Sequence, residues 1–191
     1  MKTFRIGSGA GYAGDRVDPA LALAEHGALD ALVFECLAER TIALAQLRRM
    51  RDPRHGYDPL LEARMRAVLP ACVRQGVTII SNMGAAHPEA AGAAVLAVAR
   101  ELELARLRVA VVTGDDVLPW VRANDVALLD STQRVSDLGE RLISANAGSP
   151  RPRRHFSTSS ANGVCSGAIR AWRISISRRL RGSERLGGAG Q

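Results

Sequence analysis

Aromatic side chains are scarce in this chain: they make up 4% of the 191 residues, although 47% of the residues are apolar. Alanine, leucine and valine must therefore build the core, and the length suffices for one domain with a sizeable core. No stretch of 18 uncharged apolar residues is present, which predicts no membrane partner. The first residues hold too short an apolar run for a signal peptide, so we expect a cytoplasmic protein.

Cysteine is also rare, and the three residues Cys36, Cys72 and Cys165 are widely spaced. An odd number at these intervals predicts reduced thiols, with neither a disulfide framework nor a metal knuckle. Cys36 has no defined histidine partner in the sequence, so we do not expect it to act as a nucleophile.

The formal net charge of +7 is unevenly distributed. Residues 148–191 hold nine of the 26 basic residues, all of them arginines, and one of the 19 acidic residues. Residues 1–147 are therefore almost neutral. This part of the chain offers no electrostatic reason to bind nucleic acid, and we regard nucleic acid as an unlikely partner.

Short apolar runs alternate with helical patterns over most of the chain. This alternation predicts an α/β fold, Rossmann-like in layout, with a parallel sheet and right-handed helical crossovers. The four expected strands lie at about 3–7, 31–35, 77–82 and 107–113. The expected helices lie between them, and Pro70 should kink or split the third helix.

A glycine-rich stretch, RIGSGAGYAGDR at 5–16, follows the first predicted strand. Glycines with positive φ can bring backbone N–H groups close to an anion at such a turn. The stretch contains a formal G-x-G-x-x-G, but the next helix cannot comfortably begin before Asp18. A dinucleotide loop, a plain structural turn and another kind of substrate or anion loop all remain open. The candidate binding residues are Gly7, Gly9, Gly11, Gly14, Asp15 and Arg16.

Polar residues follow the other three predicted strands as well. In a parallel sheet the carboxyl ends of the strands hold the ligand site, so these residues should converge on one cleft. The alternative is that every turn between a strand and a helix is polar. The candidates are Glu35, Asn82, Gly84, Gly114, Asp115 and Asp116.

Each of these residue types fits a particular chemistry. Glu35 follows a buried strand directly, as a general base or substrate anchor often does, because burial favours the protonated form of a carboxyl group. Asp115 is the second catalytic candidate. Asp115 and Asp116 form either a weak metal site or a cap for the next helix. Asn82 is suited to donating a hydrogen bond to a carbonyl or an oxyanion. No particular cofactor follows from these residues.

Five blocks in register carry a resemblance to a known family. They read RIGSGAGYAGDR, LVFECLAERTIALAQLRR, GYDPLLEARMRAVLPAC, ISNMGAAHPEAA and RVAVVTGDDVL. In this order they resemble the acyclic terpene utilisation family, once listed as a domain of unknown function, over about residues 3–147. The resemblance implies a bacterial cytosolic protein linked to the degradation of acyclic terpenoids such as citronellol and geraniol, whose routes run through acyl-CoA intermediates. It carries over no catalytic residue.

The resemblance stops after Ala147. Members of the family continue there with a further strand and helix, whereas residues 148–191 are rich in Arg, Ser, Gly and Ala. We interpret this tail as the product of a shifted reading frame, so that the domain is truncated and residues 148–191 are disordered. A genuine basic tail that binds nucleic acid or anionic lipid is the alternative. Ile174 and Ile176 alternate with polar residues and predict at most a short strand.

Two hypotheses for the function remain from the sequence. The first is an enzyme that acts on a carboxylated or CoA-linked small molecule at the strand ends. The second is a non-catalytic subunit whose glycine-rich loop holds an anion or a nucleotide.

Overall fold

The computed structural model describes residues 3–104, 106–129, 132–147 and 174–177. The elements alternate as an α/β fold requires, and the predicted fold class is confirmed. In chain order they are β1 (Ile6–Ala10), α1 (Asp18–His26), β2 (Ala31–Phe34), α2 (Glu39–Arg51), α3 (Leu61–Gln75), β3 (Thr78–Ser81), α4 (Pro88–Glu101), β4 (Arg108–Val111), α5 (Leu118–Ala123), α6 (Val135–Leu138), a 3₁₀ turn (Gly139–Arg141) and β5 (Ile174–Ser177).

The sheet has the strand order β1-β2-β3-β5-β4. β1, β2 and β3 are parallel neighbours, and Ala31 of β2 pairs with Ile6 on one side and with Thr78 on the other. β5 is antiparallel to both β3 and β4. β4 therefore runs in the same direction as the first three strands, as predicted, but its hydrogen bonds go to β5. A short strand was predicted around Ile174 and Ile176, but its place between β3 and β4 was not.

One layer of helices covers the sheet and encloses the core. α1 packs against β1 and α3, α3 packs against α4, and α4 packs against β4. The apolar positions of α3 recur at helical spacing and lie inside this layer. The fully buried side chains of the core include Leu32, Phe34, Leu61, Met65, Val68, Leu69, Ile79, Val95 and Val98.

Pro70 was predicted to kink or split the third helix, and it does not split it. The helix runs from Leu61 to Gln75 without a break, with Pro70 inside it. Proline removes one backbone N–H from the helix ladder. Because α3 packs on α1 and on α4, these contacts hold the helix together across the missing hydrogen bond.

α2 occupies a different position, at the carboxyl ends of β2 and β3. Its buried Ala45 packs with Leu37, which follows β2, and with Ala85, which follows β3. Ile42 and Ala86 pack against this small cluster. α2 therefore lies over the carboxyl ends of the strands, where the sequence predicts a site.

The tail contributes one described element, β5, so the short strand predicted around Ile174 and Ile176 is present. Disorder was predicted for all of residues 148–191; apart from the four residues of β5, these lie outside the described residues, and the shifted reading frame stays a prediction. The truncated domain of the sequence prediction also implies an exposed sheet edge or helix face near Leu128, Leu142 and Ile143. All three are half-buried.

Candidate functional site

The glycines near the N-terminus serve mainly to make room for neighbouring side chains. Gly7 and Gly9 lie within β1 and not in a loop. A Cβ atom on Gly7 would lie 2.5 Å from Leu29 Cδ1, and one on Gly9 would lie 2.8 Å from the Phe34 ring. A Cβ atom on Gly14 would contact the Tyr12 ring. The four positive-φ glycines among the described residues lie elsewhere, so the expected positive φ in this stretch is wrong.

This packing predicts a difference between two alanine substitutions. Gly9→Ala should lower the free energy of unfolding by about 1–3 kcal/mol, because the buried Phe34 ring has no space to retreat. In Gly11→Ala the new methyl group has only Asp15 Oδ2 nearby, at 3.8 Å. That variant should be neutral or slightly stabilised. Urea denaturation of both variants measures the difference, and equal losses would contradict the packing role of Gly9.

The turn after β1 is closed by its own carboxylate. Asp15 Oδ2 accepts hydrogen bonds from the N–H of Gly11 at 2.6 Å and of Tyr12 at 3.1 Å. Arg16 forms an ion pair with Asp18 at 2.7 Å, and both side chains are largely exposed. The charged groups predicted to bind a ligand at this turn therefore bind other parts of the chain.

Glu35 and Asn82 meet where β2 and β3 end. Asn82 Nδ2 donates a 2.5 Å hydrogen bond to Glu35 Oε1, and Asn82 Oδ1 accepts a 2.7 Å bond from the Cys36 N–H. Glu35 Oε1 also lies 3.3 Å from the N–H of Leu37, which donates to it. Asn82 is 2% exposed. The structure thus brings together two of the predicted site residues and uses the amide of one to join the two strand ends.

Gly84 lies two residues after Asn82, in the turn that leads to α4. It is buried, and a Cβ atom there would lie 3.0 Å from Pro88. Its carbonyl accepts a hydrogen bond from the N–H of His87, the residue before α4. Gly84 therefore lets α4 begin close to the end of β3.

The acidic pair after β4 contacts a different part of the chain. Asp115 is buried, and its Oδ2 accepts a 2.9 Å hydrogen bond from Asn146 Nδ2. Asp116 Oδ1 accepts a 3.0 Å bond from the N–H of Leu118, the first residue of α5. Gly114 is exposed and has a φ of +108°. The convergence of Asp115 with Glu35 on one cleft stays a prediction.

The N-cap residue of α5 is Val117, and Asp116 lies one residue before it, so its bond to Leu118 ties the turn to the first turn of the helix. Within residues 3–104, 106–129, 132–147 and 174–177, no group of three or more His, Cys, Asp or Glu side chains is placed to hold a metal ion.

The sequence analysis missed Arg64, which is fully buried in α3. Its Nη2 donates to the carbonyl oxygens of Ala13 at 2.9 Å and Asp15 at 3.0 Å. Its Nη1 lies 3.2 Å from Cys36 Sγ and 3.7 Å from Asp58 Oδ2. A signal was present, because Arg64 lies between Leu61 and Val68 at helical spacing, on the face that the apolar pattern assigns to the core.

A pocket of about 160 Å³ opens between α2 and the ends of β2 and β3. Most of the lining is apolar. The lining comprises Ala13, Cys36, Leu37, Thr41, Leu44, Ala45, Arg48, Asp58, Pro59, Leu60, Asn82, Met83 and Ala85. A small apolar pocket with a few polar groups is the usual form of a ligand site.

Burial controls the ionisation of two groups in this pocket. It raises the pKa of the Cys36 thiol to about 12, against the opposing effect of the Arg64 charge. Cys36 is therefore a neutral thiol at physiological pH, which does not suit a nucleophile. Burial also raises the pKa of Asp58, although the Leu60 N–H, Arg64 and Arg48 favour its charged form.

Comparison with known proteins gives one match. The model of a family described as acyclic terpene utilisation family protein AtuA matches residues 4–148. No curated protein and no solved structure matches. In the part of the chain that the structure describes, no helix is both long and apolar enough to cross a bilayer.

Proposed function

Because the chain belongs to the acyclic terpene utilisation family, we propose that it binds or acts on an intermediate in the breakdown of an acyclic terpenoid. The intermediate is a carboxylated or CoA-linked small molecule of the citronellol or geraniol type. The protein performs this role in the cytoplasm of a bacterium. The observation that carries the proposal is the apolar pocket beside Asn82 and Arg48.

The size and lining of the pocket fit one end of such a molecule. A volume of about 160 Å³ is close to that of apolar protein cavities that hold a single benzene ring, at about 150 Å³. Leu37, Leu44 and Leu60 supply apolar surface for a branched hydrocarbon end. A longer chain or a CoA group would have to extend through the mouth of the pocket.

The polar residues at the pocket support an enzymatic role. Asn82 lines the pocket and donates a hydrogen bond to Glu35, so a carboxylate lies next to a lining residue. In this proposal Asn82 orients a carbonyl oxygen of the ligand and Glu35 is the candidate base. In the same proposal, Asp115 is a second catalytic candidate.

The alternative of a non-catalytic anion- or nucleotide-binding subunit has less support. It requires free amide groups in the glycine-rich turn. The N–H groups of Gly11 and Tyr12 already donate to the carboxylate of Asp15, so an external anion would have to displace it.

A blocked pocket tests the proposal. Leu44 and Leu47 lie on α2 and are 42% and 39% exposed, but only Leu44 lines the pocket. Leu44→Trp should weaken the binding of citronellate, geranate or their CoA esters by about tenfold or more, since an indole fills most of the space. Leu47→Trp is the matched control and should bind like the unaltered protein.

Isothermal titration calorimetry measures these affinities, and circular dichroism checks that both variants fold. Binding that survives Leu44→Trp unchanged would place the ligand outside this pocket. Failure of every ligand to bind the unaltered protein would refute the proposed function.

A further inference from the structure

Charged groups of both signs lie at the pocket. Two of them, Arg48 and Asp58, line it directly. Arg64 lies behind the lining and contacts it through Ala13 and Cys36. Glu35, hydrogen-bonded to Asn82, is a second carboxylate nearby, so the feature that distinguishes the lining is the guanidinium of Arg48 and not a net charge.

The hydrogen bonds of the two arginines are incomplete as well. The Nε atoms of Arg48 and Arg64 are both buried and have no hydrogen-bond partner among the described residues. A buried donor without an acceptor costs free energy, and more so when it is charged. Arg64 has its other nitrogens bound to the chain, whereas Arg48 lies on the pocket wall, where a ligand can reach it.

Asp58 compensates the charge of the nearby arginines only weakly. Asp58 Oδ2 lies 3.7 Å from Arg64 Nη1, longer than a charge-assisted hydrogen bond. Its other oxygen, Oδ1, accepts a 2.7 Å hydrogen bond from the Leu60 N–H. An incoming anion therefore meets Arg48 on the pocket wall, next to an Asp58 that is already engaged by Leu60 and Arg64.

We propose that the pocket selects the free carboxylate form of its ligand, with the carboxylate on Arg48 and the branched chain against the leucines. This inference rests on the proposed function and chooses between its two ligand classes. A carboxylate supplies the charge and the acceptors that Arg48 lacks. A thioester is neutral at the reacting carbonyl, so it supplies no negative charge to Arg48.

Matched ligands of nearly equal shape test this selection. Isocaproate and isocaproamide differ at the head group, and isocaproyl-CoA presents the same chain as a thioester. Isocaproate should bind about tenfold tighter than the amide, since one head group is charged and the other is not. In Arg48→Met this preference should disappear while the amide keeps its affinity. Arg51→Met, an exposed position on the same helix, should keep the preference.

A second readout follows the ligand directly. In isocaproate labelled with ¹³C at the carboxyl carbon, the chemical shift reports the pKa of the bound acid. That pKa should fall on binding to the unaltered protein and should fall less on binding to Arg48→Met, because a guanidinium favours the ionised acid.

The possible outcomes separate the two proposals. A preference for isocaproate that Arg48→Met abolishes supports the inference. Equal binding of the acid and the amide, or tighter binding of isocaproyl-CoA, overturns it and leaves the pocket as the binding site. If neither these ligands nor citronellate binds, both proposals fall.

Discussion

Replacement of Arg64 by methionine is expected to lower the free energy of unfolding by about 3–5 kcal/mol, because one partner of a buried ion pair is removed. Methionine fills much of the volume, so the loss comes from the hydrogen bonds and the charge. Asp58 is left buried without its cation, and the carbonyl oxygens of Ala13 and Asp15 lose their donor. Urea denaturation followed by circular dichroism measures the change.

The controls for this prediction lie on the same helix and in the same ion pair. Arg66 is exposed and pairs with Glu62 and Glu101, so Arg66→Met should cost much less. The double variant Arg64→Met, Asp58→Asn should recover part of the loss, because no carboxylate is then left unpaired. A double variant as unstable as the sum of the single variants would show that the ion pair is not the cause.

The loss should also depend on pH. The Arg64 charge favours the ionised form of Asp58, so its removal raises the pKa of that carboxyl further in the folded state. A folded-state pKa above the unfolded value of about 3.8 means that the folded state binds the extra proton. The stability of Arg64→Met should therefore fall, relative to the unaltered protein, as the pH rises above 4. A loss that is constant with pH would contradict this account.

Replacement of Asn82 by leucine is the second large effect that we expect, with a loss of about 1–3 kcal/mol, because the buried Cys36 N–H is left unpaired and Glu35 Oε1 keeps only the 3.3 Å bond from the Leu37 N–H. The Cys36 N–H loses its acceptor and Glu35 Oε1 loses its 2.5 Å donor. Because these bonds join the ends of β2 and β3, the loss should also loosen the wall of the pocket. Asn124→Leu, at an exposed position where Nδ2 donates to a nearby carbonyl, is the control.

The variant Asn82→Asp distinguishes the contributions of the two hydrogen bonds to stability. An aspartate still accepts from the Cys36 N–H, but it places a second carboxylate beside Glu35. Two like charges at this distance disfavour joint ionisation. This variant should therefore approach the stability of the unaltered protein in acid and lose stability as the pH rises. A variant as unstable in acid as at neutral pH would show that the charge of Glu35 plays no part.

The sequence predicted the elements whose pattern is local. The run at β2 is continuously apolar and β3 is rich in β-branched residues, and the polar residues after them meet as expected, in Glu35 and Asn82. β1 was predicted to begin and end about three residues too early in the chain, because its span is set by pairing with Ala31–Phe34 and not by its own composition. Gly7 and Gly9 look like loop residues until the side chains opposite them are known.

The candidate site was predictable only in part, for a similar reason. Arg64 binds groups from three separate segments of the chain, so only the folded structure shows what it does. The pocket depends on where α2 lies, and α2 is held by the small cluster around Ala45. β5 pairs with strands that lie far away in the sequence, and nothing local indicates its partners.

The place of β5 in the sheet has a consequence for how the protein folds as it is synthesised. The elements from β1 to α4 lie within the first 101 residues, so the three parallel strands and their helices can assemble while the chain is still being made. β4 ends at Val111, but its partner begins only at Ile174. At synthesis rates of about 5–20 residues per second, several seconds pass before the ribosome supplies that partner. During this interval β4 has an open edge, so the growing chain depends on chaperones or on speed of synthesis to avoid aggregation.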